Sequence, residues 1–369
     1  VLTLDEARAS AKAQFDALIA SLQASPELVP ALPRITFAAT GRNITARVYK
    51  SNHEYHVEIG DGFVSQLLAS IERLDEQQIA LIVGSKRRNA RDVLDPGAVR
   101  AVLYAVAEKF VLCHELFHVL CGHLDHRIKS SGGSDLALDE FALAEETGAR
   151  ASDYDRSPAE LDLAFFRELE ADDTAVQFLA GMSRIEELAA LIPALDPEPD
   201  LSSMPKGQGR LLAFRLLFAA LWQVVLLFET SRPPKREPTV HPFPASRLMS
   251  LLFTLMPYYL IDEETPEYEL GERVRLTEKT AELAREYMRA VVQPAMLFAL
   301  SQNHRYDAAT GPAESDPGES SLFGDTLRDL KALIVDAEVQ TPGGRQLRKA
   351  LEQRAEHVRA LRPFRLVSL

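Results

Sequence analysis

His114-Glu115-Leu116-Phe117-His118 sets two imidazoles four residues apart, with a carboxylate directly after the first. On an α-helix, residues four apart lie one above the other on the same face. Two imidazoles at that spacing bind a single zinc ion. Glu115 beside them is placed to take a proton from water that the metal activates. The competing reading is a pair of core histidines bonded to backbone or carboxylate, since a buried ring nitrogen without a partner is costly. The glutamate next to the first histidine favours the metal.

A third ligand has to come from elsewhere in the chain. A third histidine in register would stand at position 124, after a glycine at 121. The chain has Cys121 and Leu124 there, with Gly122 and His123 out of step. His123 and His126 are expected near the helix C-terminus, where an imidazolium meets the negative end of the helix dipole. They are the weaker alternative as ligands. The stronger source is Glu168-Leu169-Glu170-Ala171-Asp172. Ser157-Pro158-Ala159-Glu160 opens that segment as a capping box with proline at the first helical position. Projected as a helix, one face carries Leu161, Ala164, Phe165, Glu168, Asp172, Ala175, Val176 and Leu179. Two carboxylates on an apolar face need compensation. Zinc on Glu168, with Asp172 hydrogen-bonded to a ligating imidazole, would supply it. A structural ion pair with an arginine is the other reading. Glu170 and Asp173 project to a more polar side, beside Arg167, Thr174 and Gln177.

These residues need scaffolding elements. Asp95-Pro96 reads as an N-cap followed by proline, and Val99, Val102, Leu103, Val106, Phe110 and Phe117 recur at a helical period up to the histidines. Residues 3–23 read as an amphipathic helix and 25–33, with three prolines, as a linker. Alternating runs at 35–37, 44–49 and 55–59, separated by turn residues, predict a small antiparallel sheet. A helix follows over 63–74, and Ile79-Ala80-Leu81-Ile82-Val83 reads as a further strand. Residues 130–157 form a long acidic loop, a candidate lid. From Thr277 onward the pattern is helical, interrupted by an exposed loop at 308–321 and broken again at Gly343-Gly344. The fold class is therefore α+β, mostly α-helical. The expected organisation is 1–33 as helix and linker, 34–265 as the metal-binding domain and 266–369 as a C-terminal helical region.

The pairing of H-E-x-x-H with a later E-x-x-x-D resembles the gluzincin metallopeptidases. Glu168-x-x-Ala171-Asp172 is closer to the HtpX and CAAX-prenyl endopeptidase family, which also carries a downstream H-P-x-x-x-x-R. Here that is His241-Pro242-Phe243-Pro244-Ala245-Ser246-Arg247. The resemblance covers roughly residues 98–250. Phage-exclusion Lit-type peptidases are similar as well, through Gly122-His123. ImmA/IrrE-type peptidases share the first two motifs but usually have Asn where this chain has Asp172. The resemblance implies a zincin-like core, with the small sheet packed on the H-E-x-x-H helix and extra helices after it. It implies one zinc per chain on His114, His118 and Glu168, and Glu115 as general base. It places His241 and Arg247 at the site, for positioning or for stabilising the oxyanion. The implied activity is hydrolysis of peptide bonds in a protein or peptide substrate. HtpX-type enzymes are membrane-embedded, and this chain has no comparable set of spans. The rival is a regulator in which zinc only pins helices together and the C-terminal helices bind a partner.

Composition narrows the classes. With 41 Lys and Arg against 54 Asp and Glu, the net charge is −13, which argues against nucleic-acid and anionic-membrane binding. Cys113 and Cys121 lie too far apart on one helix for a disulfide. With no signal peptide visible, a reducing cytoplasm is the expected compartment. Leu211–Phe228 is the most apolar stretch, but Arg215 and Gln223 interrupt it. It reads, with 248–261, as buried core rather than as a membrane span.

Overall fold

The structure is a computed structural model. It describes residues 2–39, 41, 45–83, 95–131, 137–139, 158–181, 206–230, 247, 250–252, 254–255, 287–302 and 342–367. In chain order the elements are α1 (Leu4–Gln23), β1 (Ile35–Ala39), β2 (Ala46–Ser51), β3 (Glu54–Ile59), α2 (Asp61–Glu72), α3 (Glu76–Val83), α4 (Pro96–Leu120) and α5 (His123–Ser131). Then come β4 (Ala137–Asp139), α6 (Pro158–Gly181), α7 (Lys206–Thr230), α8 (Gln293–Ser301), α9 (Pro342–Glu352) and α10 (Arg354–Leu361). A π-helical turn, Met288–Val292, precedes α8, and a 3-10 turn, Arg362–Phe364, follows α10. The described residues are thus mostly helical with one small sheet. His241 and the acidic stretch 308–321 lie outside them, as does most of 130–157.

α4 is the axis of the molecule. Asp95 caps it, its carboxylate accepting from the Gly97 and Ala98 N–H groups, with Pro96 in the first turn. From Phe110 to Leu120 every residue is buried. α1, α2, α6, α7, β2 and β3 all pack against it. The sheet side is supplied by alternation: Ala46 and Val48 of β2 and Tyr55, Val57 and Ile59 of β3 point inward. One hydrophobic core runs through α1, the sheet, α4, α6, α7, α8 and α9.

The sheet differs from the antiparallel expectation. β2 and β3 form an antiparallel hairpin, with Asn52 and His53 both at positive φ in the two-residue turn. β1, however, pairs parallel with β3, and β4 pairs antiparallel with β2, giving the order β1-β3-β2-β4. Alternation decides which face of a strand is buried and leaves the neighbouring edge open. The second difference is at 79–83, which is helix α3 rather than a strand. Asp75 and Gln78 form a reciprocal cap, the Gln78 N–H to Asp75 Oδ1 at 2.8 Å and the Asp75 N–H to Gln78 Oε1 at 3.1 Å. A short apolar run has no period of its own, and the cap decides it. Gly343 and Gly344 fall in the first turn of α9, and the break between the last two helices is at Gln353.

α7 is packed on all sides from Ala213 to Leu227, apart from a partly exposed Arg215. Buried Gln223 takes a hydrogen bond from Ser70 and gives one to Gln302. No helix among the described residues is long and apolar enough to cross a membrane.

The chain's last described segment returns to the end of α4. The Leu366 N–H donates to the Leu120 carbonyl at 2.7 Å, satisfying a helix-terminal acceptor. Phe364 lies against Gly122, whose φ is +76°. A Cβ there would stand 2.4 Å from the Phe364 carbonyl, so only glycine permits both the turn and the contact.

Glu108 ties α1 to α4. Its carboxylate accepts from Ser10, Gln14 and Tyr104 at 2.6–2.7 Å, with no cation among these partners. Burial pushes it from 4.5 up to about 7, against the pull of those donors. The folded carboxyl therefore holds its proton more tightly than the unfolded one. Its contribution to stability is fully present below pH 4.5 and is lost as pH rises through about 7. The loss is on the order of 3 kcal/mol. Glu108→Gln should flatten this part of the stability–pH curve in denaturant titrations, leaving the variant relatively more stable above neutral pH.

Candidate metal centre

His114 and His118 share one face of α4, their Nε2 atoms 3.1 Å apart. Glu168 of α6 closes the triangle, with Oε2 3.8 Å from His114 Nε2 and Oε1 3.9 Å from His118 Nε2. The three groups are buried and offer ligand atoms within 4.8 Å of one another, so they could hold a metal ion. Glu115, next to the first ligand in sequence, is 0 % exposed.

The outer partners define the proton positions. His114 Nδ1 lies 2.9 Å from Asp172 Oδ1. Asp172 is gripped in turn by Arg247, whose Nε and Nη2 each donate to a carboxylate oxygen at 2.6 Å. Burial raises the Asp172 carboxyl, but the guanidinium and the imidazole outweigh it and hold it below the usual carboxylate value. An ionised Asp172 accepts only, so His114 carries its hydrogen on Nδ1. His118 has a second chain. Its Nδ1 lies 2.9 Å from His123 Nδ1, and His123 Nε2 lies 2.8 Å from Glu170 Oε2. Glu170 Oε1 accepts from Arg365 at 3.0 Å. Burial alone would raise Glu170; the bond to His123 and the charge of Arg365 keep it low.

Burial lowers His123 to about 3, so this ring is neutral. Its Nε2 hydrogen goes to Glu170, its Nδ1 accepts, and His118 is the donor. With His114 Nδ1 facing Asp172 and His118 Nδ1 facing His123, the two Nε2 atoms are turned toward each other, 3.1 Å apart.

His123 is consequently not an imidazolium at a helix end. α4 stops at Leu120, Gly122 turns the chain, and His123 begins α5. Glu170 and Asp173 do not face a polar side either, being 5 % and 7 % exposed. Asp173 accepts from Ser250 at 2.7 Å and Thr254 at 2.9 Å, and burial lifts it to about 6. Arg247, Ser250 and Thr254 are helical and spaced to share one face, which clasps the two aspartates of α6. Arg247 thus lies against Asp172, at the outer side of the centre. His241 lies outside the described residues.

A second group, Cys121, His123 and Glu170, also has ligand atoms within 4.8 Å. It is a poor cation site. Both nitrogens of His123 are committed, and the Arg365 guanidinium already lies between Glu170 and the Cys121 sulfur, 3.9 Å from the latter. Burial pushes the Cys121 thiol up to about 12.

No family model, curated protein or solved structure matches the chain. Function has to be argued from the geometry of the site. The residues that sequence reasoning missed are His123 in its bridging role, Glu170 and Arg365. The one local signal was Gly122-His123 directly after the H-E-x-x-H helix.

Asp172 is fully buried, so removing its cation leaves an uncompensated charge. Arg247→Ala should destabilise the fold by about 3–5 kcal/mol. Urea unfolding of the variant beside wild type measures it.

Proposed function

We propose that the chain is a zinc-dependent endopeptidase of gluzincin type, with a zincin-like core resembling the HtpX and CAAX-prenyl endopeptidase family. The observation that carries the reading is the convergence of His114 Nε2, His118 Nε2 and Glu168, with buried Glu115 next to His114 in sequence. Ligands 2.0–2.1 Å from a tetrahedral zinc lie about 3.3 Å from one another. The two Nε2 atoms stand 3.1 Å apart, and the two Glu168 oxygens lie 3.8 Å from His114 Nε2 and 3.9 Å from His118 Nε2, near that value. The donor set of two imidazoles and one carboxylate is that of a catalytic zinc with a position left open.

His114, His118 and Glu168 would hold the ion. Zinc there supplies a Lewis acid that polarises a scissile carbonyl and lets water ionise near neutral pH. Glu115 takes the proton from the attacking water and delivers it to the leaving amine. Asp172 keeps His114 in the tautomer that presents Nε2, and Arg247 holds Asp172 ionised and in place. Arg247 is accordingly a positioning residue. For His241 the resemblance alone supplies a role, positioning or stabilising the oxyanion. A site with Glu115 at 0 % exposure admits a peptide only when a neighbouring element moves aside.

That same burial favours a second reading, in which the metal pins α4 to α6 in a regulatory, non-catalytic helical protein. Two variants separate the readings. Purified wild type should carry near-stoichiometric zinc by elemental analysis, and His118→Ala should lose most of it; equal zinc in both would end the proposal of this site. Glu115→Gln removes only the base from a nearly isosteric side chain. It should keep fold and zinc while abolishing the protein fragments that appear in cells expressing wild type. Unchanged fragmentation, or none with either protein, favours the regulator.

A further inference from the structure

The chain behind His118 has a feature that the peptidase reading does not require. It ends on a residue from the far end of the sequence. Arg365 is separated from Glu170 by 195 positions, yet their side chains meet at 3.0 Å in a largely buried contact. Four further contacts deliver it there. The Leu366 N–H bonds the Leu120 carbonyl at the end of the ligand helix. Phe364 packs on Gly122, and its ring lies edge-on to His126 with centroids 5.3 Å apart. Lys129 Nζ sits 5.3 Å from the centre of the same ring. Residues 362–366 are thus docked on the turn between the ligand helix and His123.

Resting on the reading of His114, His118 and Glu168 as a zinc site, we propose that the His123–Glu170–Arg365 chain positions His118. The C-terminal segment 362–366 is then a working part of the metal centre. The argument is one of polarity. His118 offers Nε2 inward only if something accepts its Nδ1 hydrogen, and the group facing that nitrogen, 2.9 Å away, is Nδ1 of the His123 imidazole. An imidazole accepts on Nδ1 only if its own hydrogen sits on Nε2, and Glu170 fixes that by accepting there. Glu170 is 5 % exposed, and the Arg365 guanidinium donates to its other oxygen at 3.0 Å, holding the carboxylate in place. His114 has a parallel chain through Asp172 of nearby α6 and Arg247. The two ligands are therefore oriented by two separate carboxylate–arginine pairs, of which one is closed only when the C-terminus is docked.

The test uses full-length protein and three variants: Arg365→Gln, Arg365→Lys, and Glu170→Gln with Arg365→Gln. The paired variant leaves no buried unmatched charge, so it gives the reading should Arg365→Gln alone fail to fold. Zinc affinity is measured by chelator competition, ligand geometry by the visible spectrum of the cobalt-substituted protein, and stability by melting of the metal-free form. Arg365→Gln and the paired variant should bind zinc about tenfold more weakly and shift the cobalt bands. Arg365→Lys, which keeps the charge, should recover part of the loss. Variants that melt earlier without metal, yet bind zinc as tightly as wild type with an unchanged cobalt spectrum, would show that Arg365 merely holds the fold and would overturn this inference alone. Wild type that binds no zinc would overturn the metal site and this inference with it.

Discussion

Two imidazoles one turn apart on a wholly buried stretch of helix must each find an acceptor for a ring hydrogen, and the surroundings of α4 are arranged around that demand. A neutral histidine has one donor and one acceptor nitrogen. Presenting both Nε2 lone pairs to one point requires both Nδ1 hydrogens to be accepted behind the rings. Asp172 does this for His114 and His123 for His118. Neither acceptor is stable there unaided, since one is a buried carboxylate and the other needs its own tautomer held. Each recruits a further partner, and the two sets of contacts end on Arg247 and Arg365.

α6 shows the same logic from the other side. Glu168, Glu170, Asp172 and Asp173 all lie on its buried stretch, and like charges so concentrated would repel in a low-dielectric interior. They are kept apart by function of partner. Glu168 faces the two Nε2 atoms, Glu170 meets His123 and Arg365, Asp172 meets His114 and Arg247, and Asp173 is bonded by two hydroxyls. Asp173, which is bonded by hydroxyls, is pushed upward by burial, to about 6. The helix is thus a board on which acids one and two positions apart are addressed to different elements.

Close packing at the end of α4 links this electrostatic scheme to the fold. Gly122 lets the chain turn and lets the Phe364 backbone approach, and Leu366 caps the helix carbonyl. The sheet contributes on the opposite flank. Tyr55 of β3 and Lys50 of β2 both hydrogen-bond Asp125 of α5, fastening the segment that carries His123 to the strands. His123 is therefore held between the sheet side and the C-terminal segment.

Local spacing by itself determined that His114 and His118 share one helical face, with Glu115 next to the first, and that Glu168 and Asp172 share a face of a later helix. Those statements need only the 3.6-residue period and the caps at Asp95 and Ser157-Pro158. The predominance of helix and the hairpin at 46–59 were legible for the same reason. Tertiary structure decided what has no local period. α6 is buried nearly all round, so its apolar stripe is faint and Glu170 and Asp173 read as solvent-facing. α3 was settled by a cap rather than a pattern, and the parallel pairing of β1 by an edge that alternation leaves open. Arg247 meets Asp172 across 75 positions and Arg365 meets Glu170 across 195. A charge looks the same in sequence whether water or a buried carboxylate will meet it, and only the packed chain supplies the partner.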